Sequence, residues 1–344
     1  MTSKSIRVFS HIIKGHRGAS QLRSFVRCSS CAAEGAVVPP SHSSITAEQA
    51  VKLWTQCFTL QGISEPLLSS QYIIAHALGR KTLDAVDRRR LRDPLTDRER
   101  DKVWKLCSKR LTSMPVQYVI EEWDFRDLTL KMTPPVFIPR PETEELVGLV
   151  LEDLRLMHGE SYGTDLRCLE VGCGSGAVSL SLLHSIPHLR VLALDQSQAA
   201  VCLTSENASR LGLQDRLEVQ HLDVMGDADA ILNKCGPIHF LVSNPPYLLR
   251  KDMQSLQTEI LQFEDHAALD GGSDGLSVIR SILTLASQLL IERGRVYLEV
   301  APCHPPIIRQ LIEERMPELI YLETRCDFTN RPRFCILQRK GKDD

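Results

Sequence analysis

The sequence predicts an α/β protein: a doubly wound sheet of about seven strands preceded by a small helical bundle. Three observations carry that expectation. From residue 166 onward, short apolar runs alternate with stretches of helical periodicity, as in a parallel sheet with crossover helices. The first of those runs ends in a glycine-rich turn that opens a helix. Ahead of the sheet, residues 46–111 repeat apolar side chains at three- and four-residue spacing.

The chain has 344 residues, long enough for two domains, and its 43% hydrophobic and 24% charged content is ordinary for a globular protein. A formal net charge of −2 argues against a chain that holds long DNA or RNA electrostatically, so no stable nucleic-acid partner is expected. No apolar stretch is long enough to cross a bilayer, and the nearest, residues 282–291, is interrupted by Thr284, Ser287 and Gln288. No membrane partner is expected either. The chain is expected to act as a monomer.

Residues 1–44 differ in composition from the rest. Lys4, Arg7, Lys14, Arg17, Arg23 and Arg27 are spread among serines and apolar residues, with no acid before Glu34. That is the pattern of a mitochondrial transit peptide and linker, and implies the matrix; a basic disordered tail is the other reading. The 11 cysteines lack paired spacing. Cys28 and Cys31 resemble half a zinc site, but no second pair follows at suitable spacing, so free thiols and no metal are expected.

Residues 45–114 read as a helical domain. Thr46 and Glu48 open a helix whose Val51, Leu53, Trp54, Cys57 and Phe58 share a face. A second helix covers residues 67–78 and closes at Gly79, and a third opens at Thr96 with Asp97 and Glu99, with Trp104 at the border of its apolar stripe. The intervening basic run, Arg88 to Arg90 with Arg92, Arg98 and Arg100, is interleaved with Asp93, Asp97 and Glu99 and reads as a self-paired, solvated face. Residues 115–140 form a linking segment, with residues 123–131 as one arm of a hairpin. Pro141 suits a first helical position and is followed by acids that favour a helix N-terminus; Arg140, just outside, is not explained by helix formation.

Residues 141–344 carry the chemistry. The strand at 166–171 runs into Gly172-Cys173-Gly174-Ser175-Gly176, where glycines let the backbone approach a ligand and the next helix offers free N–H groups. The strand at 190–194 ends in Asp195, placed to accept from ribose hydroxyls. The strand at 217–222 ends in Asp223, which suits either an adenine amino group, with Val224 beside the ring, or a plain strand-end cap. The strand at 238–243 delivers Asn244-Pro245-Pro246-Tyr247 to the same rim. Proline supplies no N–H, so its carbonyl is free to accept, Asn244 can donate and accept, and Tyr247 can stack on a flat group. The platform suits a planar carboxamide or aromatic amine. A loop at 263–276, a helix at 277–291, a strand at 294–301, a helix at 305–315 and two strands at 320–325 and 334–338 complete the sheet.

This layout, with Glu170 just before the glycine turn, resembles the class I methyltransferases that use S-adenosylmethionine. Asn244-Pro245-Pro246-Tyr247 resembles the subset that methylates planar nitrogens. Residues 46–340 resemble the release factor glutamine methyltransferases, the specific marks being residues 115–118, 137–144, 169–176 and 242–247. Residues 119–122 depart from the bacterial pattern, and Pro141 stands where the related ribosomal-protein glutamine methyltransferases carry serine. With the basic leader, the resemblance is to the mitochondrial branch. It implies S-adenosylmethionine bound by Gly172, Cys173, Gly174, Ser175, Gly176, Asp195, Asp223, Val224 and Asn244. It implies catalysis by Asn244, Pro245 and Tyr247, with Pro246 also touching substrate. The implied substrate is the glutamine of the Gly-Gly-Gln motif in mitochondrial peptide chain release factors, docked by the helical domain. An adenine amino-group methyltransferase of DNA or RNA and a ribosomal-protein glutamine methyltransferase are the alternatives.

Overall fold

The structure, a computed structural model, describes residues 44–158 and 165–342, with the backbone of two short strands ahead of them. Those strands, β1 (Val26–Arg27) and β2 (Val37–Val38), pair antiparallel. The rest of the leader, with Cys28 and Cys31, lies outside the described residues. The chain divides into two compact units between Thr112 and Ser113. The segment read as a separate link therefore belongs to the second unit.

In the first unit, α1 (Ala47–Leu60) is capped by Thr46, whose partner in the capping box is Gln49, not Glu48. The third helical position is the one whose side chain reaches back to the cap; Glu48 is one residue early and pairs with Arg92 instead. Next come α2 (Pro66–Ala77), the five-residue α3 (Arg88–Arg92) inside the basic run, and α4 (Asp97–Arg110), where Thr96 and Glu99 form a second capping box. Trp104 is buried rather than bordering, because its ring meets that of Trp54 edge-on at 5.3 Å. Arg90 pairs with Glu99 and Arg100 with Asp97, so part of the basic run is neutralised within the unit.

The second unit opens with α5 (Val116–Ile120) and a hairpin of β3 (Glu122–Phe125) and β4 (Leu128–Lys131). Apart from Glu122, both arms fall within residues 123–131, the stretch expected to form one. Its turn uses Arg126 at φ 52°, a residue that gives no turn signal. Then follow α6 (Pro141–His158), β5 (Leu166–Val171), α7 (Ala177–Ser185), β6 (Leu189–Asp195), α8 (Gln198–Leu211), β7 (Leu217–His221), α9 (Ala228–Lys234) and β8 (Ile238–Ser243). The chain ends with α10 (Thr258–Phe263), α11 (Ser277–Leu289), β9 (Leu290–Glu299), α12 (His304–Arg315), β10 (Leu319–Cys326) and β11 (Pro332–Arg339).

The seven-stranded sheet runs β10-β11-β9-β8-β5-β6-β7. Pairings from β9 through β7 are parallel, while β11 is antiparallel to both neighbours. Alternation along each strand feeds two cores. Cys168, Val191, Phe240 and Val242 pack with α6 and α7, whereas Leu169, Leu194, Leu241 and Leu298 pack with α11 and α12. The order reverses between β5 and β8: the chain winds outward through β6 and β7, then returns to the other side of β5. In such sheets the crevice at the carboxyl ends of the two strands flanking the reversal is where ligands bind.

Candidate active site

Three contiguous pockets open at that crevice. The largest, about 760 Å³ of non-atom space partly open to solvent, is lined by Gly172, Gly174, Asp195, Asp223, Val224, Asn244, Pro245 and Pro246 among others. A smaller one of about 340 Å³ reaches Glu170, Cys173 and Ser175, and a third of about 540 Å³ is bounded by Arg140, Tyr247, Leu256 and Ile260. Asn244 and Phe137 line all three.

The glycine turn is held by side chains from the end of β6 and from α8. Gly174 N–H donates to Asp195 Oδ2 at 2.9 Å, and Thr204 Oγ1 donates to the Gly174 carbonyl at 2.9 Å. Buried Asn207 donates to the Ser175 carbonyl at 3.0 Å while accepting from Lys131 N at 2.8 Å, which ties the hairpin to the turn. Asp195 Oδ1 accepts from Ser197 N at 2.8 Å, so each of its oxygens keeps a lone pair for the cleft. Burial pushes its carboxyl above the usual range, and the two backbone donors pull it back. Asp223 Oδ1 accepts from Met225 N at 2.9 Å in the turn after β7, and its neighbour Val224 is buried against the cleft.

Not every residue expected at the cofactor lines the large cleft. Cys173 and Ser175 are buried and face only the smaller pocket, and Gly176 lines none of the three. Gly176 serves packing: a Cβ there would lie 2.8 Å from Leu180 Cδ1.

At the platform, Asn244 Nδ2 donates to Thr143 Oγ1 at 3.0 Å, and Thr143, in the first turn of α6, donates to Glu299 Oε2 at 2.9 Å. Tyr247 OH donates to Glu299 Oε1 at 3.2 Å. Burial pushes the Glu299 carboxyl up to about 7, against the pull of Thr143, Arg333 and Tyr247. Burial also raises the Tyr247 phenol. Pro245 is buried, and among the described residues nothing donates to its carbonyl.

Arg140, unexplained by helix formation, has a role in the structure. It pairs with Glu264 at 2.7 Å and lies 4.6 Å from the Phe137 ring centre, while Glu264 Oε2 also accepts from Ile138 N. Asp265 N donates to the Pro135 carbonyl at 2.7 Å. These contacts hold the stretch after α10 against residues 135–140, bringing Asp265, Ala267 and Ala268 to the cleft wall. Thr143 and Glu299 were not singled out from the sequence. Thr143 lies within the motif at residues 137–144, but Glu299, the last residue of an ordinary strand, gives no signal in the sequence.

Comparison with known proteins decides the family. The PrmC N-terminal domain matches residues 49–120 and the methyltransferase small domain residues 154–290. The human "MTRF1L release factor glutamine methyltransferase" is 46% identical over 307 residues, 88% of this chain and 90% of its own length. The chain belongs to the release factor glutamine methyltransferases. The Streptococcus pneumoniae release factor glutamine methyltransferase is 34% identical over 65% of this chain and 75% of its own. Among solved structures, the hMettl16 catalytic domain in complex with MAT2A 3'UTR hairpin 6 aligns with 69% of this chain and 83% of its own, at 15% identity and a TM-score of 0.49.

As a member of that family the chain is an S-adenosylmethionine-dependent glutamine methyltransferase of class I fold. The lining of the cleft fits the chemistry of that cofactor. Gly174 leaves open space where a Cβ would stand, and Asp195 and Asp223 bring acceptors to the ends of two adjacent strands. Among the described residues no cluster of His, Cys, Asp and Glu is arranged to hold a metal, and no helix is long and apolar enough to cross a membrane.

Proposed function

We propose that this methyltransferase modifies the glutamine amide of the Gly-Gly-Gln motif in mitochondrial peptide chain release factors. In this reading it works in the matrix as a monomer, without a lasting nucleic-acid partner. The relatives' names supply the release factor, and the basic leader supplies the compartment. The helical unit is the docking surface for the factor. The third pocket carries one cation among its lining residues, Arg140, already paired with Glu264, which suits a peptide better than a phosphodiester strand.

The observation that carries the chemistry is the bond from Asn244 Nδ2 to Thr143. With one of its two amide hydrogens given to Thr143, Asn244 is oriented to present Oδ1, an acceptor, at the junction of the three pockets. S-adenosylmethionine, held by Gly172, Gly174, Asp195, Asp223 and Val224, with Cys173, Ser175 and Gly176 shaping the turn, supplies an electrophilic sulfonium methyl. The substrate's amide nitrogen is a poor nucleophile because its lone pair is delocalised into the carbonyl, so the site works by placement. Asn244 Oδ1 and the Pro245 carbonyl accept its two hydrogens and fix the nitrogen in line with the donor. The same two acceptors would stabilise the positive charge that grows on nitrogen as the N–CH3 bond forms and the S–CH3 bond breaks. S-adenosylhomocysteine is the leaving group, and one of the two amide protons is then lost to solvent to give the neutral N-methyl amide. Pro246 and Tyr247 wall the amide plane and exclude water.

Incubation of the purified chain with labelled S-adenosylmethionine and a recombinant mitochondrial release factor, followed by mass spectrometry, tests the reading. Label on the glutamine of the Gly-Gly-Gln peptide is the expected result. Label on nucleic acid or ribosomal protein, with none on that peptide, would overturn it.

A further inference from the structure

We propose that Glu299 is a positioning residue for methyl transfer: acting through Thr143, it dictates which end of the Asn244 carboxamide faces the substrate, and through Tyr247 it holds the platform's ring. The proposal rests on the assignment of Asn244 Oδ1 as an acceptor for the substrate amide. Glu299 ends β9 and is 1% exposed, with its two oxygens used separately. Oε2 accepts from Thr143 and Oε1 from Tyr247. Three elements distant in sequence, the first turn of α6, the residues after β8 and the end of β9, thus converge on one carboxylate.

The argument is one of hydrogen-bond polarity. A hydroxyl has a single proton to give, and an ionised carboxylate can only accept. Thr143 therefore spends its proton on Glu299 and can offer Asn244 nothing but a lone pair. Only the Nδ2 end satisfies that lone pair, so Oδ1 is turned to the cleft. A protonated Glu299 reverses the logic: it can donate to Thr143, the threonine hydroxyl is then free to donate to Oδ1, and the amide flips. A flipped Asn244 would meet the substrate's N–H with an N–H of its own, where neither can accept.

The groups facing Glu299 bear on its charge from every side. Arg333 on β11 favours the ionised form, as do the Thr143 and Tyr247 donors, while burial and Glu142 on α6 oppose it. Their balance leaves the carboxyl at about 7, so its charge changes within the range where the enzyme can be assayed.

The test uses the full chain with a release factor substrate, reading kcat, the acceptor KM, cofactor affinity by calorimetry and the thermal midpoint. Thr143→Val keeps the shape and removes the hydroxyl; kcat is expected to fall about tenfold or more with cofactor affinity unchanged. Thr143→Ser, which restores the hydroxyl, should return kcat to within about threefold of the parent. The parent's kcat should decline as pH falls below about 7, and Glu299→Gln should have a lower kcat without that acid limb. Parental turnover in Thr143→Val, equal impairment of the valine and serine variants, or an unchanged acid limb in Glu299→Gln would each overturn the proposal. Should Thr143→Val fail to fold, the serine variant and the Glu299→Gln profile decide. Asn244→Ala separates the two readings: full activity there would sink the acceptor assignment itself, whereas loss there with an indifferent Thr143 and Glu299 would sink only the relay.

Discussion

Asn244 and Thr143 stand 101 residues apart in the chain and meet side chain to side chain, the amide donating to the hydroxyl at 3.0 Å. That bond turns a residue common in loops into a group with a defined face. Asn244→Ala removes both the acceptor and its anchor, so turnover should fall by at least ~2 kcal/mol of transition-state stabilisation, about thirtyfold. Cofactor binding, measured by calorimetry, should persist. A parallel collapse of cofactor affinity and turnover would mean that Asn244 holds the cleft together and does not act on the substrate.

Asp195 should show the opposite split. Its carboxylate braces the glycine turn through Gly174 N–H and keeps lone pairs directed at the large cleft. Asp195→Ala should weaken cofactor binding by about tenfold or more, the cost of a charge-assisted hydrogen bond, with a smaller fall in kcat at saturating cofactor. Unchanged affinity would place the ribose elsewhere.

The glycine turn offers a contrast between two substitutions of the same size. Gly176 has φ 83°, and a Cβ there would press on Leu180 Cδ1 at 2.8 Å and Thr204 Cγ2 at 3.1 Å. Gly174, at φ 55°, has nothing within 4 Å of that position. Gly176→Ala should therefore cost ~2 kcal/mol or more in unfolding free energy, combining backbone strain with overpacking. Gly174→Ala should cost about 1 kcal/mol in stability and lose cofactor affinity instead, because its methyl enters the cleft. Denaturant melts and calorimetry on both variants separate the two effects.

What could be read from the sequence was local. The Thr96 and Glu99 capping box, Pro141 at a helix start and the glycine turn after β5 each lie within a few residues of what they organise, and all occur in the structure. The alternation of strands and helices announced a doubly wound sheet, but the return of the chain from β7 to the far side of β5 is a long-range pairing that no local pattern carries. The supports of the platform were illegible for a physical reason. Thr143 reaches Glu299 across 156 residues, and Arg140 reaches Glu264 across 124, with no periodicity to announce either partner. Short elements were also missed: α9 has seven residues and α3 five, too few to establish an apolar stripe.

The Arg140–Glu264 pair makes its own prediction. The Glu264 side chain is 1% exposed and accepts from both Arg140 and Ile138 N, so removing it strands a cation and a backbone donor together. Glu264→Ala should cost ~2 kcal/mol or more in stability, and it should raise the acceptor KM because residues 264–268 lose their tie to residues 135–140. Glu264→Gln keeps an acceptor and should be milder on both counts. Equal stability of parent and alanine variant in urea melts would refute a clamp.

Glu170 provides a test based on stability against pH. It is 2% exposed on β5 and accepts from Ser179 N at 3.1 Å and from the Ser179 hydroxyl. Burial is the largest influence and pushes its carboxyl up to about 8, with the Ser179 bonds pulling down and Asp195 pushing further up. The folded value thus lies above the ordinary 4.5 of an unfolded glutamate. Across that window the folded chain keeps a proton that the unfolded chain releases, so the unfolded state binds fewer protons and stability falls as pH rises. The penalty is absent below about pH 4.5 and complete above about pH 8. Asp327, held low at about 2, acts in the opposite sense but only in acid, below the window. Glu299 contributes a smaller decline of the same sign and is present in parent and variant alike. Urea midpoints at pH 5, 7 and 8.5 should therefore decline more steeply for the parent than for Glu170→Gln, the gap opening by a few kcal/mol, on the order set by a shift of this size. Parallel curves would mean that Glu170 ionises in the folded state as readily as in the unfolded one, and that the wall beside the glycine turn is wet.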